Sequence, residues 1–499
     1  MLGTYFTFPE LLIWIPLVIG IICFLIKKEG TVKALALAAS IATLVVSLFA
    51  ICYSDAAKYP TYNEVSYYWM KYLGNAFHLK LDGTGHILSL LTAVAYPLIF
   101  LASYRQRRER ASSYYGLMLL AQAGIMGVFS AVDALLFYFF WELALIPVYF
   151  LASIWGGEKR IQTTFKFFVY TFAGSLLMLI GIIYIYMHTP ERVFGDGTTA
   201  AHSFALSSFM NASISPTAQG WLFWLFFAAF AVKMPVFPLH TWQPDTYDQS
   251  PTPVTMVLSG LMVKMGLFGM MRWLLPVLPE GVAQYGDVAI TLAVVGILYA
   301  SLIAMVQDNI KKLIAYSSIA HIGLMAAALL TQNSSGIQGA ILQMFNHGIN
   351  IIGLWIVFDL IEQKTGVKHI SKLGGVAVKA PVLTIFLVVI AFANIALPLT
   401  NAFVGEFLMF NGLWQYSSGF AVAAIISIIL AAVYTLNMVR KVFYGEVSPA
   451  AEQMTDISTG EKLALTAIVL MIFVLGVFPE PILKMTEGAL KVLAIPSGR

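Results

Sequence analysis

The chain has 499 residues, of which 59% are hydrophobic and only 11% charged. Soluble domains carry about 25% charged residues, so this composition, with a mean hydropathy of +0.82, exceeds what one water-exposed fold could bury. The net charge of +4 is small, and Cys23 and Cys52 lie in or at the end of apolar runs with no CxxC, which gives no support to a disulfide framework, a zinc site or a cysteine-held cluster.

Apolar segments of bilayer-spanning length recur along the whole chain. The first follows Glu10 with no basic stretch before it, so residues 11–26 read as a retained helix and not a cleaved signal. In chain order the predicted spans are 10–26, 34–53, 83–103, 112–131, 134–154, 165–187, 218–237, 251–273, 287–306, 311–330, 335–360, 381–399 (continuing to about 412), 418–439 and 463–481. The stretches 54–82 and 188–217 are polar and aromatic and read as extramembrane loops. No Gly/Ser-rich or Pro-rich linker separates a second domain, so residues 1–499 form one membrane domain. The fold class is all-α integral membrane, with about fourteen transmembrane helices.

Lys and Arg are distributed unevenly between alternate loops. One side receives Lys27, Lys28 and Lys33, then Arg105, Arg107, Arg108 and Arg110, then Lys159, Arg160 and Lys166. Further on it receives Lys311 and Lys312, the lysines at 364, 368, 372 and 379, and Arg440, Lys441 and Lys462. That side holds 19 of the 29 basic residues and the other 8. The positive-inside rule makes it cytoplasmic and puts both termini on the outer, periplasmic side, which also requires an even number of spans. The RQRRER run at 105–110 sits between two spans and reads as a topology signal, not a nucleic-acid patch.

The two remaining cations are inside apolar runs: Lys233 in FFAAFAVKMPVF and Lys264 in VLSGLMVKMGLFGM. Glu142 in LLFYFFWELALIPVYFL and Glu406 in LPLTNAFVGEFLMF are placed similarly. Each such charge costs at least about 2.5–3.5 kcal/mol at the bilayer centre, so these groups must face one another, water or a partner. Burial disfavours the charged form of an ionisable group, which brings proton exchange within reach of neutral pH. His321 in AYSSIAHIGLMAAAL and His347 in ILQMFNHGINIIGLW add groups that both accept and donate protons. Structural ion pairs would account for one such pair, but four charges on four spans, with histidines on two more, point to a proton pathway. His240, Asp245 and Asp248 lie at the cytoplasmic end of a span, where either an inlet or a solvated loop would place them.

Helix breaks supply a second signal. Pro235, Pro238, Pro244, Pro251 and Pro253 follow Lys233 closely, and Pro398 precedes Glu406. Proline removes a helix hydrogen bond, and the freed carbonyls are tolerable in a membrane only where protein or water satisfies them. AFAVKMP at 229–235 is similar to AFANIALP at 391–398. Broken helices at corresponding places in two halves indicate inverted repeats with a site at the midplane. The expected organisation is an N-terminal part at 1–111, two inverted five-helix repeats at 112–274 and 285–445 containing broken helices 7 and 12, and a C-terminal helix within 460–499. Lys233 and Glu406 are the expected counterparts.

FWELALIPVYFLASIWG, KFFVYTFAGSLLMLIGI, VKMPVFPLHTWQPD, SPTPVTMVLSGLMVKMG, KKLIAYSSIAHIGLM, FNHGI and LPLTNAFVGEF run in order from about residue 112 to 412. Together they resemble the antiporter-like membrane subunits of respiratory complex I, NADH:quinone oxidoreductase, which are related to Mrp-type cation/proton antiporters. Glu406, where L-type and N-type subunits usually carry Lys, and a chain end soon after the last span favour the M type, the bacterial counterpart of mitochondrial subunit 4. The resemblance implies proton translocation coupled to quinone reduction. Glu142 and Lys233 would form an ion pair, Lys264 the central connection, and His321 and His347 the onward carriers to Glu406, which faces the outer side. It also implies L-type and N-type membrane-arm partners, with NADH, FMN, iron–sulfur clusters and quinone in partner subunits, in a bacterial inner membrane. The chain itself carries no nucleotide-binding glycine fingerprint, cluster ligands or metal site, so redox chemistry belongs elsewhere. The family's Asp-Ala-His step is replaced by Asp245, Thr246 and Tyr247, which puts an inlet histidine there in doubt. The alternatives are an Mrp-type Na⁺/H⁺ antiporter subunit and a membrane scaffold with structural ion pairs.

Overall fold

The computed structural model describes residues 6–54, 58–59, 61–193 and 199–493. Both chain ends, and with them the side on which the termini emerge, lie outside the described residues.

Eleven helices among the described residues are long and apolar enough to cross a membrane. Ala111–Ser130, Pro216–Lys233 and the broken pair Pro381–Asn394 and Asn401–Tyr416 stand where the other three expected spans fall. Local chemistry fixes several helix starts. Asp133 accepts from the amides of Leu135 and Leu136 at the head of Ala134–Trp155. Asn309 does the same for Lys311 in front of Ile310–Leu330, and Asn333 for Gly336 in front of Ser334–Thr365.

Burial divides the helices into two classes. Thr252–Leu274 and Ser334–Thr365 are buried along their whole apolar length, so they form the centre. Arg160–Tyr186 instead exposes Ile161, Phe165, Val169, Phe172, Leu176 and Ile180, spaced by three or four residues. That spacing makes one continuous apolar stripe, which water would not tolerate and lipid would cover.

Several boundaries differ from the sequence expectation. The ninth span begins at Pro279, not 287, and the sixth at Arg160, not 165. In both, polar residues extend the helix beyond the hydrocarbon layer, where hydropathy cannot see it. The loop expected at 54–82 contains an antiparallel hairpin, Glu64–Met70 with Asn75–Lys80, and the loop at 188–217 contains the short helix Leu206–Met210. The C-terminal region has a further amphipathic helix, Glu480–Val492, after the span Thr459–Val477.

Both expected breaks are present. The first helix stops at Lys233 and a short helix restarts at Gln243; the second stops at Asn394 and restarts at Asn401. Each is closed by a bond reaching back five residues, Val236 N to Ala231 O at 2.9 Å and Leu397 N to Phe392 O at 3.0 Å. The freed carbonyls find partners, as a membrane interior requires. Trp242 Nε1 donates to Val232 O, Asn350 Nδ2 to Ala393 O, and Asn346 Nδ2 to Asn401 O. Ala396 and Leu399 adopt left-handed φ values of 53° and 72° in the second break, a strained conformation for residues with a Cβ. One expectation is corrected here. Lys233 ends the helix before its break, whereas Glu406 lies in the helix after its break, so the two do not occupy equivalent positions.

Candidate functional site

The Lys264 helix carries two wide π-helical turns, Leu258–Met262 and Met270–Leu274, flanking the lysine. Such turns disturb the regular hydrogen-bond ladder and recur at functional sites. Lys264 is completely buried. Its Nζ donates to Ser259 O at 2.8 Å and lies 2.9 Å from His347 Nδ1 on the neighbouring helix. The His347 and His321 rings have centroids 5.6 Å apart. His321 Nδ1 then lies 3.3 Å from Glu406 Oε1, which also accepts from Gln343 Nε2 at 3.3 Å. Four of the six expected residues, Lys264, His347, His321 and Glu406, therefore form one buried file across three helix interfaces.

Close backbone approach brings Gln343 of the His347 helix against Glu406. A Cβ on Gly339 would meet Met409 N at 2.7 Å and Gly405 O at 2.9 Å. Only a residue without a side chain lets the His347 and Glu406 helices come this near.

Glu142 and Lys233 are arranged differently. Lys233 Nζ sits 5.3 Å from the centre of the Trp141 ring, a cation–π distance. Neither Lys233 Nζ nor Glu142 Oε1 has a hydrogen-bond partner. Glu142 follows Trp141 in the chain, but the expected ion pair is not closed in this conformation. Among the described residues no hydrogen bond joins Lys233 to Lys264. Their helices touch at Gly266, where a Cβ would meet Phe230 O at 2.8 Å.

A funnel of about 1480 Å³ opens on the basic face above this row. Asp245 pairs with Lys166 at 3.2 Å and Lys312 at 3.1 Å, while Asp248 pairs with Lys368 at 2.7 Å and accepts from Asn309 at 2.8 Å. Burial opposes the Asp248 charge, yet the bonds from Lys368 and Asn309 outweigh it and hold this carboxyl below its ordinary range. From the funnel a ladder descends one helix: Thr255 Oγ1 donates to Tyr247 O at 3.3 Å, Ser259 Oγ to Thr255 O at 2.8 Å, and Lys264 Nζ to Ser259 O. Tyr247 is fully buried, and its hydroxyl has no partner; the same holds for His240 Nδ1.

Sequence reading missed Trp141, Ser259 and Gln343. Gln343 and Asn346 were discoverable, because with His347 and Asn350 they repeat at helical spacing inside an apolar span. Ser259 was not, since its role is played by a main-chain carbonyl.

A model for the membrane family described as NADH:quinone oxidoreductase/Mrp antiporter matches residues 131–431. The chain belongs to this family, as an M-type antiporter-like member. NADH-quinone oxidoreductase subunit M of Rickettsia typhi is 35% identical over 473 residues, covering 94% of this chain and 93% of that protein. A chain of respiratory complex I from Thermus thermophilus superposes with a TM-score of 0.87 at 27% identity, covering 97% and 99%. A chain of the Mrp complex from Dietzia sp. shares the fold, with a TM-score of 0.83 at 20% identity over 98% of this chain and 52% of that one. By family and fold this chain is an antiporter-like membrane subunit of the complex I M type.

Proposed function

We propose that the buried row is the proton conductor of this subunit. In this reading Lys264 takes protons from the cytoplasmic funnel by way of water along the helix face that carries Thr255 and Ser259, whose hydroxyls are anchored on main-chain carbonyls. The observation that carries it is the contact between Lys264 Nζ and His347 Nδ1, continued by His321 against Glu406 Oε1. A neutral imidazole accepts at one nitrogen and donates from the other. His347 can therefore receive a proton from the Lys264 ammonium at Nδ1 and release one from Nε2. His347 Nε2 and His321 Nε2 have no partners, so transfer between the rings uses a bridging water or a ring rotation. Glu406 receives the proton from His321 Nδ1 and releases it towards the outer face.

Glu142 and Lys233 act on this file from the side. When the Glu142 carboxylate swings towards Lys233 it stabilises the ammonium; when it withdraws, the nearby positive charge loses its counter-ion. At an effective dielectric near 20, such a change is worth up to about 4 kcal/mol at 4 Å, enough to move a proton between carriers. Quinone reduction in partner subunits would set this pair, and the L-type and N-type subunits would extend the row. The basic loops favour a bacterial inner membrane orientation with the funnel in the cytoplasm, and the two broken helices favour the inverted-repeat organisation.

NADH-driven proton uptake by inverted membrane vesicles, normalised to assembled complex, tests the row. Glu406→Gln should remove most of it while NADH oxidation persists. Full uptake by that variant would reject the relay. Na⁺-driven proton exchange without NADH would favour the Mrp-type reading instead.

A further inference from the structure

The helix Gly83–Ala102 carries a polar stripe that the row does not use. His86, Ser89, Thr92 and Tyr96 recur at spacings of three, three and four, which places them on one helix face. All four are at most 3% exposed. His86 Nε2, Ser89 Oγ and the Tyr96 hydroxyl have no hydrogen-bond partner. Buried polar atoms are normally paired, and Ser or Thr serving only as packing residues usually bond back to their own helix. Thr92 does so, to Leu88 O at 2.9 Å; Ser89 does not. The helix Glu29–Cys52 packs beside this one, and Ser40, Thr43 and Ser47 belong to its buried face.

Both ends of the stripe reach charged groups. Towards the basic face, the helix Ala111–Ser130 packs against this one and carries Tyr114, whose hydroxyl is also buried and unpartnered. The Arg108 guanidinium sits 5.1 Å from the Tyr114 ring centre and donates to Gln106 Oε1. Asp359 lines the funnel and accepts from Gln106 Nε2 at 2.8 Å; Lys33 Nζ donates to Gln106 O at 2.7 Å. Towards the other face, His86 N donates to the carbonyl of Asp82 at 2.8 Å, one turn away; Asp82 is the helix N-cap and is ion-paired with the buried Arg272. From Asp82 to Tyr96 the helix rises about 21 Å at 1.5 Å per residue, most of a hydrocarbon core of roughly 30 Å.

We infer that this stripe is a second proton file, running from the Asp359 corner of the funnel through Tyr114, Tyr96, Ser89 and His86 to the Asp82–Arg272 pair. Tyrosine and serine hydroxyls each accept one proton and release another, so a water-bridged chain of them conducts without forming a stable ion. His86 is the group in the chain that can hold the proton. The Asp82–Arg272 pair closes the outer end, because the guanidinium occupies the carboxylate that would accept the proton from His86 until the pair opens. The inference rests on the proposed function only in sharing its funnel and its assay.

The test uses the whole complex in inverted vesicles, comparing Tyr96→Phe and His86→Gln with Glu406→Gln and with the Glu406→Gln/Tyr96→Phe double variant. Tyr96→Phe removes one hydroxyl and keeps the packing, so the complex should assemble. Its ratio of protons taken up per NADH oxidised should fall by a third or more. The residual uptake left by Glu406→Gln should disappear in the double variant. An unchanged ratio in Tyr96→Phe, or equal residual uptake in the double and in Glu406→Gln, would overturn the second file and leave the stripe as packing. Loss of assembly in His86→Gln would leave Tyr96→Phe to decide. Full uptake in Glu406→Gln together with a loss in Tyr96→Phe would instead reject the Lys264–Glu406 row and retain the stripe.

Discussion

Lys264 and His347 share a hydrogen-bonding contact of 2.9 Å inside a completely buried helix interface, with no carboxylate bonded to either. A lysine held by a carbonyl and an imidazole, and not by a counter-ion, has a neutral proton acceptor within hydrogen-bonding reach. The pair is therefore better suited to transfer than to structural bonding.

Lys264→Arg tests this directly. Arginine keeps the charge but does not release its proton in proteins. Proton uptake should be lost although charge is conserved. Normal uptake by assembled Lys264→Arg would take Lys264 out of the path.

Glu142→Gln and Lys233→Ala probe the open pair. Because the two groups are not hydrogen-bonded to each other, removing either should not destabilise the fold as breaking a closed buried bridge does, by about 3–5 kcal/mol. Assembly should hold while proton uptake falls sharply. If both variants instead failed to assemble, the pair would be structural.

Glu406 can be ranked by three substitutions. Glu406→Gln keeps its size and its bond to Gln343 but cannot titrate, so more than half of the uptake should be lost. Glu406→Asp retracts the carboxylate by one methylene from His321 and should keep part of the activity. Glu406→Lys can still titrate once buried and should exceed Gln, though it faces His321 with the wrong sign. Uptake by Gln equal to that by Asp would leave Glu406 a packing residue.

Gly339→Ala should act at a distance from any titrating group. The added Cβ meets backbone atoms of the Glu406 helix at 2.7 and 2.9 Å, an overpacking that costs about 1–3 kcal/mol. Thermal unfolding of the purified complex should shift down, and uptake should weaken because Gln343 and Glu406 move apart. Unaltered stability would show that the helices are less tightly apposed than they stand here.

The funnel mouth should respond to acid. The folded-state carboxyl of Asp248 is depressed by Lys368 and Asn309, so its stabilising contribution is complete above the ordinary aspartate value of 3.8 and is lost as pH falls through the lower folded value. Amide exchange in residues 243–250 should stay slow from pH 7 to about pH 4 and quicken only below that. Asp248→Asn should exchange faster at pH 7 and differ little from wild type in strong acid. Loosening that begins near pH 6 would assign the mouth to a different group.

Much of this protein was legible in one dimension. Hydropathy finds the spans because the bilayer demands about 20 apolar residues per crossing, and lysine in FAAFAVKMP or glutamate in FVGEF stands out because charge inside such a run is costly. Proline marks both breaks for the same local reason, a missing donor. What a linear reading cannot assign is partnership. The family motifs suggested that Glu142 holds Lys233, yet Trp141 lies over its ammonium while Glu142 stands off; both residues share a helix turn, and side-chain direction chooses between them. The distance from Lys264 to His347 joins residues 83 positions apart, and the approach of Gly339 to Gly405 depends on two helices packing without side chains between them. Those contacts are set by three-dimensional packing of apolar surfaces, which the order of residues constrains only through the whole chain at once.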